Sequence, residues 1–338
     1  MTFTQTTTLL SQMVTTGVVP GMEWALIHGD TVIKHVEGKA AVVPQDEPLR
    51  PGMLYDVASL TKVVGTTTVL LHLMEVGQLD VDQPVVTYLP EFFDSRVTVR
   101  RLLTHTAAIS GYIPHRNQLT GPQLITALMG LHVGARFGQQ VRYTDLGLIF
   151  AGLVVEAVTG MPVQEAITRL VLRPLGMRHS TFTPKNPAEC VPTAVMPDGT
   201  VLRGVVHDPK ARQLQRRCGS AGLFTTLDDL VTFCQWLMAD DPQHPVVNSA
   251  LIDRLFADWT PNGMLGRSFG WDLRYTPTGR RCLHHTGYTG PMLLIDKQAH
   301  DALILLTNRV HPRQDNHAFI DRRAEVVQVY LAEKESVS

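Results

Sequence analysis

Cysteine is scarce and scattered: Cys190, Cys218, Cys234 and Cys282 are the four in 338 residues, and no two form a C-x-x-C pair. That spacing excludes a disulfide-built scaffold and points to four reduced thiols without a shared task. An excess of either charge is also missing, since 30 Lys and Arg stand against 31 Asp and Glu for a net −1. Nucleic acid and anionic membrane surfaces are therefore not expected as partners. No run of about 20 apolar residues offers a membrane span. Residues 1–22 hold neither Lys nor Arg, so the basic start of a secretory signal is lacking and a cytoplasmic location is expected. There is no H-E-x-x-H despite 14 histidines, and the adjacent His284 and His285 would point to opposite faces of a strand, so no metal and no other cofactor is expected. What remains is a chain of 44% hydrophobic residues, long enough to bury a large core.

The strand signals sit near the two ends. Glu23 to Ile27 and Thr31 to Val36 alternate around Gly29-Asp30 as a hairpin, and Pro291 to Ile295 and Ala302 to Thr307 form a second pair. The ends therefore build one antiparallel sheet, covered by a helix before Gly17 and another from about Ala318 to Leu331. Residues from about 80 to 240 read as mostly helical with Pro/Gly breaks. The expected architecture is α+β: a single catalytic domain over 1–338, with an α/β part at about 1–80 and 240–338 and a helical lobe at about 80–240.

Ser59-Leu60-Thr61-Lys62 carries the chemistry. Val63, Val64, Thr67, Leu70, Leu71 and Met74 recur at helical spacing and Gly77 supplies a stop, which places Ser59 at a helix entrance. Positions i and i+3 share one helix face, so Lys62 can reach the Ser59 hydroxyl. A helix N-terminus also favours developing negative charge. The tetrapeptide alone occurs by chance, usually on a solvated helix. Here two constellations follow it: Tyr143-Thr144-Asp145, just before an apolar run from Leu146 to Val158, and His285-Thr286-Gly287-Tyr288 on a strand whose glycine allows close approach.

With these three motifs in order, the chain resembles the serine β-lactamase and penicillin-binding-protein superfamily, and most closely the class C-like branch that includes esterases and D-amino-acid peptidases. The stretches Leu102 to Thr106, Ser110-Gly111, Pro174 to Met177, Ala221 to Thr226 and Leu306 to Arg309 resemble that branch too. The resemblance implies a β-lactamase/transpeptidase-like fold and an acyl-enzyme on Ser59. It implies Lys62, Tyr143 and His285 as its catalytic partners, with the base left open between Lys62 and Tyr143. Asp145, Thr286, Gly287 and Tyr288 would serve substrate binding, and the N–H groups of Ser59 and Tyr288 would form the oxyanion hole.

Two positions depart from the family pattern. Asp145 stands where Asn is usual; a carboxylate there favours a protonated Lys62 and strengthens it as partner of a Tyr143 phenolate. His285 stands where Lys is frequent, and histidine lacks the permanent charge that would hold a substrate carboxylate. The expected substrates are therefore small carboxylic esters or related amides. A true β-lactamase or a D-alanyl-D-alanine carboxypeptidase or aminopeptidase is the rival of the same class, and a non-catalytic scaffold or peptide-binding protein the rival of another. Gly266 to Gly270 matches a G-x-S-x-G elbow, but no helical period follows Ser268, so it is set aside. His105 reads as a core histidine, His207-Asp208 as a neighbour of the cleft, and Tyr112 and Trp271 as pocket wall or core.

Overall fold

Period-two alternation builds the central sheet, and the computed structural model describes it together with the rest of residues 3–337; only the ends of the expected 1–338 domain lie outside the described residues. Its strands are β1 (Gly21–His28), β2 (Thr31–Ala41), β3 (Glu47–Pro48), β4 (Asp272–Tyr275), β5 (Arg281–Thr286), β6 (Met292–Asp296) and β7 (Asp301–Thr307). They lie in the order β3-β2-β1-β7-β6-β5-β4, every neighbouring pair antiparallel. β1 from near the start thus pairs with β7 from near the end, Met22 opposite Thr307 and His28 opposite Asp301.

The central strands β1, β6 and β7 are apolar on both faces because both are covered, whereas most of β2 is exposed. Met22, Trp24 and Leu26 of β1 join Leu303 and Leu305 of β7 against α1 (Thr4–Thr15) and the C-terminal helix, here α6 (His317–Val337). Ala25 and Ile27, with Ile304 and Leu306, face the larger core that includes α5 (Leu227–Met238). The two outer helices are also tied by charge. Glu333 of α6 accepts the Gln5 and Thr6 N–H groups at 2.8 and 2.9 Å, placing a carboxylate on the first turn of α1.

Both expected hairpins form, and both terminal helices are present with longer ends. Two differences are physical. Strand β4 was not anticipated, because Trp271 to Gly279 mixes aromatic and breaker residues; as an edge strand it needs pairing to β5 alone. The middle is less helical than expected. From Gly176 to His207 it holds one short 3₁₀ turn, Pro187–Glu189, and Pro184, Pro187, Pro192 and Pro197 each withhold a backbone donor there. Among the described residues no single helix is long and apolar enough to cross a membrane.

Candidate active site

Backbone geometry presents Ser59. Tyr55-Asp56 pairs with Phe224-Thr225, and the chain then turns sharply at Ala58, whose φ of 45° lies in the left-handed region costly for a residue with a Cβ. Asp56 holds that turn: its Oδ1 accepts the Ala58 N–H at 2.9 Å while its Oδ2 accepts the His207 N–H at 2.6 Å. Burial pushes this carboxyl up to about 6 in spite of those donors. Helix begins at Leu60, and Lys62–Thr67 runs in wider π turns before α2 (Thr68–Glu75).

Lys62 is fully buried, and its Nζ lies 2.6 Å from Ser59 Oγ, 2.8 Å from Asp145 Oδ1 and 2.9 Å from the Ser220 carbonyl. Burial lowers its proton affinity, but the Tyr143 oxygen and the Asp145 carboxylate outweigh that and hold the amine above its ordinary value. Asp145 is the first residue of α3 (Asp145–Thr159), with Thr144 as the cap. Its second oxygen receives Lys210 Nζ at 2.9 Å, and Lys210 also reaches Asp208 Oδ2 at 3.0 Å. Burial opposes ionisation of Asp145, yet the two ammonium groups pull its carboxyl well below the usual range.

Tyr143 stands at the mouth with its ring among charged and aromatic groups: Lys62 Nζ lies 5.3 Å and Arg267 Cζ 5.5 Å from its centroid, and the His105 ring 4.6 Å away. His285 backs it at 5.9 Å. Only Nδ1–H can serve the Thr286 carbonyl 3.0 Å away, so His285 Nε2 carries the lone pair, buried and without a partner among the described residues. Burial, then Lys62 and Arg267, push this imidazole well below its ordinary value, so it stays neutral.

Gly287 brings the end of β5 onto the turn that carries Ser59. A Cβ there would stand 2.5 Å from the Val57 carbonyl oxygen, a distance no side chain tolerates. Thr289 Oγ1 adds a 2.6 Å hydrogen bond to the Asp56 carbonyl. Between these ties sits Tyr288, and among the described residues neither its amide nor that of Ser59 donates to another backbone group. Seven of the eight predicted site residues line the two cavities that meet at Ser59, Thr286 making its hydrogen bond through its backbone, and the eighth, fully buried Lys62, reaches Ser59 Oγ from within.

A cavity of about 530 Å³ runs from Ser59 and Tyr143 past β5 to α6. Arg267, Arg274, Arg309 and Arg323 line it against the single carboxylate of Asp272. Arg267 Nη1, Arg309 Nε and Arg323 Nη1 are buried without hydrogen-bond partners among the described residues. A smaller cavity of about 390 Å³ lies on the other side of Ser59, walled by His207, Asp208 and Lys210. Lys210, Asp56 and the arginines escaped the sequence reading. Lys210 is two positions from the flagged His207-Asp208, which was the available signal.

Other candidates fall away. Ser268 is buried in a turn that leads to strand β4, not to a helix. Trp271 is core and meets His285 edge-on at 6.4 Å, while Tyr112 is 86% exposed. His105 is buried and takes the Thr144 N–H on Nδ1 at 3.5 Å. The four cysteines are buried free thiols. Among the described residues no three His, Cys, Asp or Glu are grouped to hold a metal.

A helix-entrance serine bonded to a buried lysine, between an antiparallel sheet and a set of helices, is the arrangement of the β-lactamase/transpeptidase-like class of fold, and comparison with known proteins agrees. The Beta-lactamase family model matches residues 6–328, and the chain belongs to that family. It is 27% identical over 320 residues to an Escherichia coli K12 protein provisionally named a D-alanyl-D-alanine carboxypeptidase, spanning 80% of this chain and 72% of that one. In structure it is similar to a class C beta-lactamase, with a TM-score of 0.80 at 19% identity over 97% of this chain and 95% of the other. It is also similar to EstCE1, a hydrolase with promiscuous acyltransferase activity, with a TM-score of 0.76 at 19% identity over 96% and 97% of the two chains.

Proposed function

We propose that the protein is a serine hydrolase that forms an acyl-enzyme on Ser59 and cleaves small carboxylic esters or related amides bearing a negative charge. The carrying observation is the 2.6 Å contact between Lys62 Nζ and Ser59 Oγ at the start of a helix. A neutral Lys62 would aim its lone pair at Ser59, but Asp145 and Tyr143 favour the ammonium. The proton of Ser59 therefore passes to the Tyr143 oxygen, with Lys62 holding Ser59 Oγ and the tyrosine oxygen in one electrostatic field. Oγ bonds to the substrate carbonyl carbon, and its oxygen gathers negative charge facing the Ser59 and Tyr288 amides. The intermediate collapses, the leaving group takes the proton from Tyr143, and water repeats the sequence to release the acid. Tyr143's proton-transfer role is worth on the order of 10²–10⁴-fold.

The substrate charge follows from the arginine-lined arm. His285 is neutral, so anion recognition falls to Arg267, Arg309 and Arg323, each of which keeps one buried nitrogen without a hydrogen-bond partner among the described residues. The same arm favours a second reading, a carboxypeptidase acting on peptides with a free C-terminal carboxylate, which is also the name carried by the Escherichia coli relative. Intact-mass measurement of wild type and Ser59→Ala after a fluorophosphonate tests the chemistry. One adduct mapped to Ser59 and missing from the variant supports it; no adduct on wild type, or one on the variant, refutes it. Turnover of anionic p-nitrophenyl esters, nitrocefin and D-alanyl peptides then separates the two readings.

A further inference from the structure

We infer that Lys210 is a positioning residue that cancels the charge of Asp145, so that the Asp145–Lys210 pair presents Lys62 with the polarity of a neutral amide. The inference rests on the hydrolase reading above. Its ground is geometric. The carboxylate is shared, one oxygen 2.8 Å from Lys62 and the other 2.9 Å from Lys210, and Lys210 is held in place from its far side by Asp208 at 3.0 Å. Lys62, Asp145, Lys210 and Asp208 thus form one alternating chain of net zero charge.

The consequence concerns Tyr143. A carboxylate facing only Lys62 would offset the ammonium that, with Arg267, stabilises negative charge on the tyrosine oxygen, and would repel that charge directly. With Lys210 on its other oxygen, that effect is offset by a second positive charge. The other titratable and charged groups around the pair are His105 beneath Tyr143, His285 behind it, Arg267 over its ring, and His207 and Arg212 beside Asp208. His105 and His285 are both held neutral by burial first of all; Asp56, pushed by burial up to about 6, and His207, lowered by burial, adjoin Asp208, and neither makes a recorded hydrogen bond to Asp145 or Lys210 among the described residues. Lys210 touches neither Ser59 nor Tyr143 in any recorded hydrogen bond among the described residues, which is why its role is positional.

The test is the rate of fluorophosphonate capture by Ser59 as a function of pH, followed by intact mass, for wild type, Lys210→Met, Asp145→Asn and the double variant. Lys210→Met should slow capture at pH 7 by on the order of tenfold and move the acid limb of the profile alkaline by about one pH unit, the size expected for one charge a few ångströms away. Asp145→Asn added to Lys210→Met should bring the rate back to within a few-fold of wild type, because it removes the charge that Lys210 had cancelled. Lys210→Gln replaces Lys210→Met if the latter fails a circular-dichroism check of folding. A Lys210 variant with wild-type rate and profile overturns the inference, as does a slow variant that Asp145→Asn does not rescue, which would make Lys210 a packing residue. A wild type that takes no probe removes the hydrolase reading itself, and that outcome is distinct from both.

Discussion

Replacing Gly287 by alanine probes how tightly the end of β5 is registered on the nucleophile turn. The added methyl carbon would lie 2.5 Å from the Val57 oxygen and 2.6 Å from Pro291 Cγ, against the 3.4–4 Å of ordinary contact. Neither neighbour yields easily. Val57 O belongs to the backbone that the Ala58 turn fixes and accepts the Leu60 N–H at 2.9 Å, and Pro291 O accepts the Gly287 N–H at 2.8 Å. Relief therefore requires the strand end to withdraw by about 1 Å, carrying Tyr288 with it. A displacement of that size costs on the order of 10²-fold in rate, and loss of one oxyanion donor costs on the order of 10²–10³-fold. Overpacking should cost a further 1–3 kcal/mol of stability, roughly. The assay pairs the rate constant for Ser59 labelling with urea denaturation. Gly287→Ala should label at least about 10²-fold more slowly while still folding at 25 °C. Labelling at the wild-type rate would refute the contact and with it the placing of the Tyr288 amide.

Three further outcomes are expected. Ser59→Ala should abolish covalent labelling while its circular-dichroism melting curve stays within a few degrees of wild type, since the side chain is small and only partly buried. Arg323→Met should raise KM for an anionic ester by roughly tenfold or more, the worth of one charge-assisted hydrogen bond, and leave KM for a neutral ester of similar size unchanged; equal effects on both would remove the anion-binding role of that arm. Glu23→Gln should stabilise the protein at pH 8 and change nothing at pH 4. Burial pushes the Glu23 carboxyl up from 4.5 to about 7, against the hydrogen bond from Tyr55. The folded state holds that proton where the unfolded state has lost it, so stability is full below about pH 4.5 and falls as pH rises to about 7, by about 3 kcal/mol in all. A difference between variant and wild type that is the same at both pH values would contradict this.

What the sequence exposed and what it hid differ in kind. Ser59 and Lys62 were legible because their contact is set by one turn of helix, and the hairpins because alternation is local. The meeting of Asp145 with Lys210 was not, since it depends on how α3 and the short helix α4 (Pro209–Leu214) approach each other, and no local period encodes that. His285 was found as a site residue, but its neutral state comes from burial behind Tyr143 and from Lys62 and Arg267, which only the folded chain assembles. The arginines of the cavity beside Ser59 come from the β4 side, from the segment after β7 and from α6, so their cluster is invisible along the chain. Strand β4 was missed for a related reason, being an edge whose one partner decides its conformation.

The pairing of β1 with β7 also sets when the site can exist. Ser59 and Lys62 leave the ribosome early, but Lys210 and then Tyr288 follow much later, and β1 gains its inner neighbour only after Thr307 has been made. Contacts of such long sequence separation form late in folding. In a nascent chain the proposed nucleophile, Ser59, is therefore made long before the Tyr288 amide, Lys210 and the completed sheet that surround it in the folded protein.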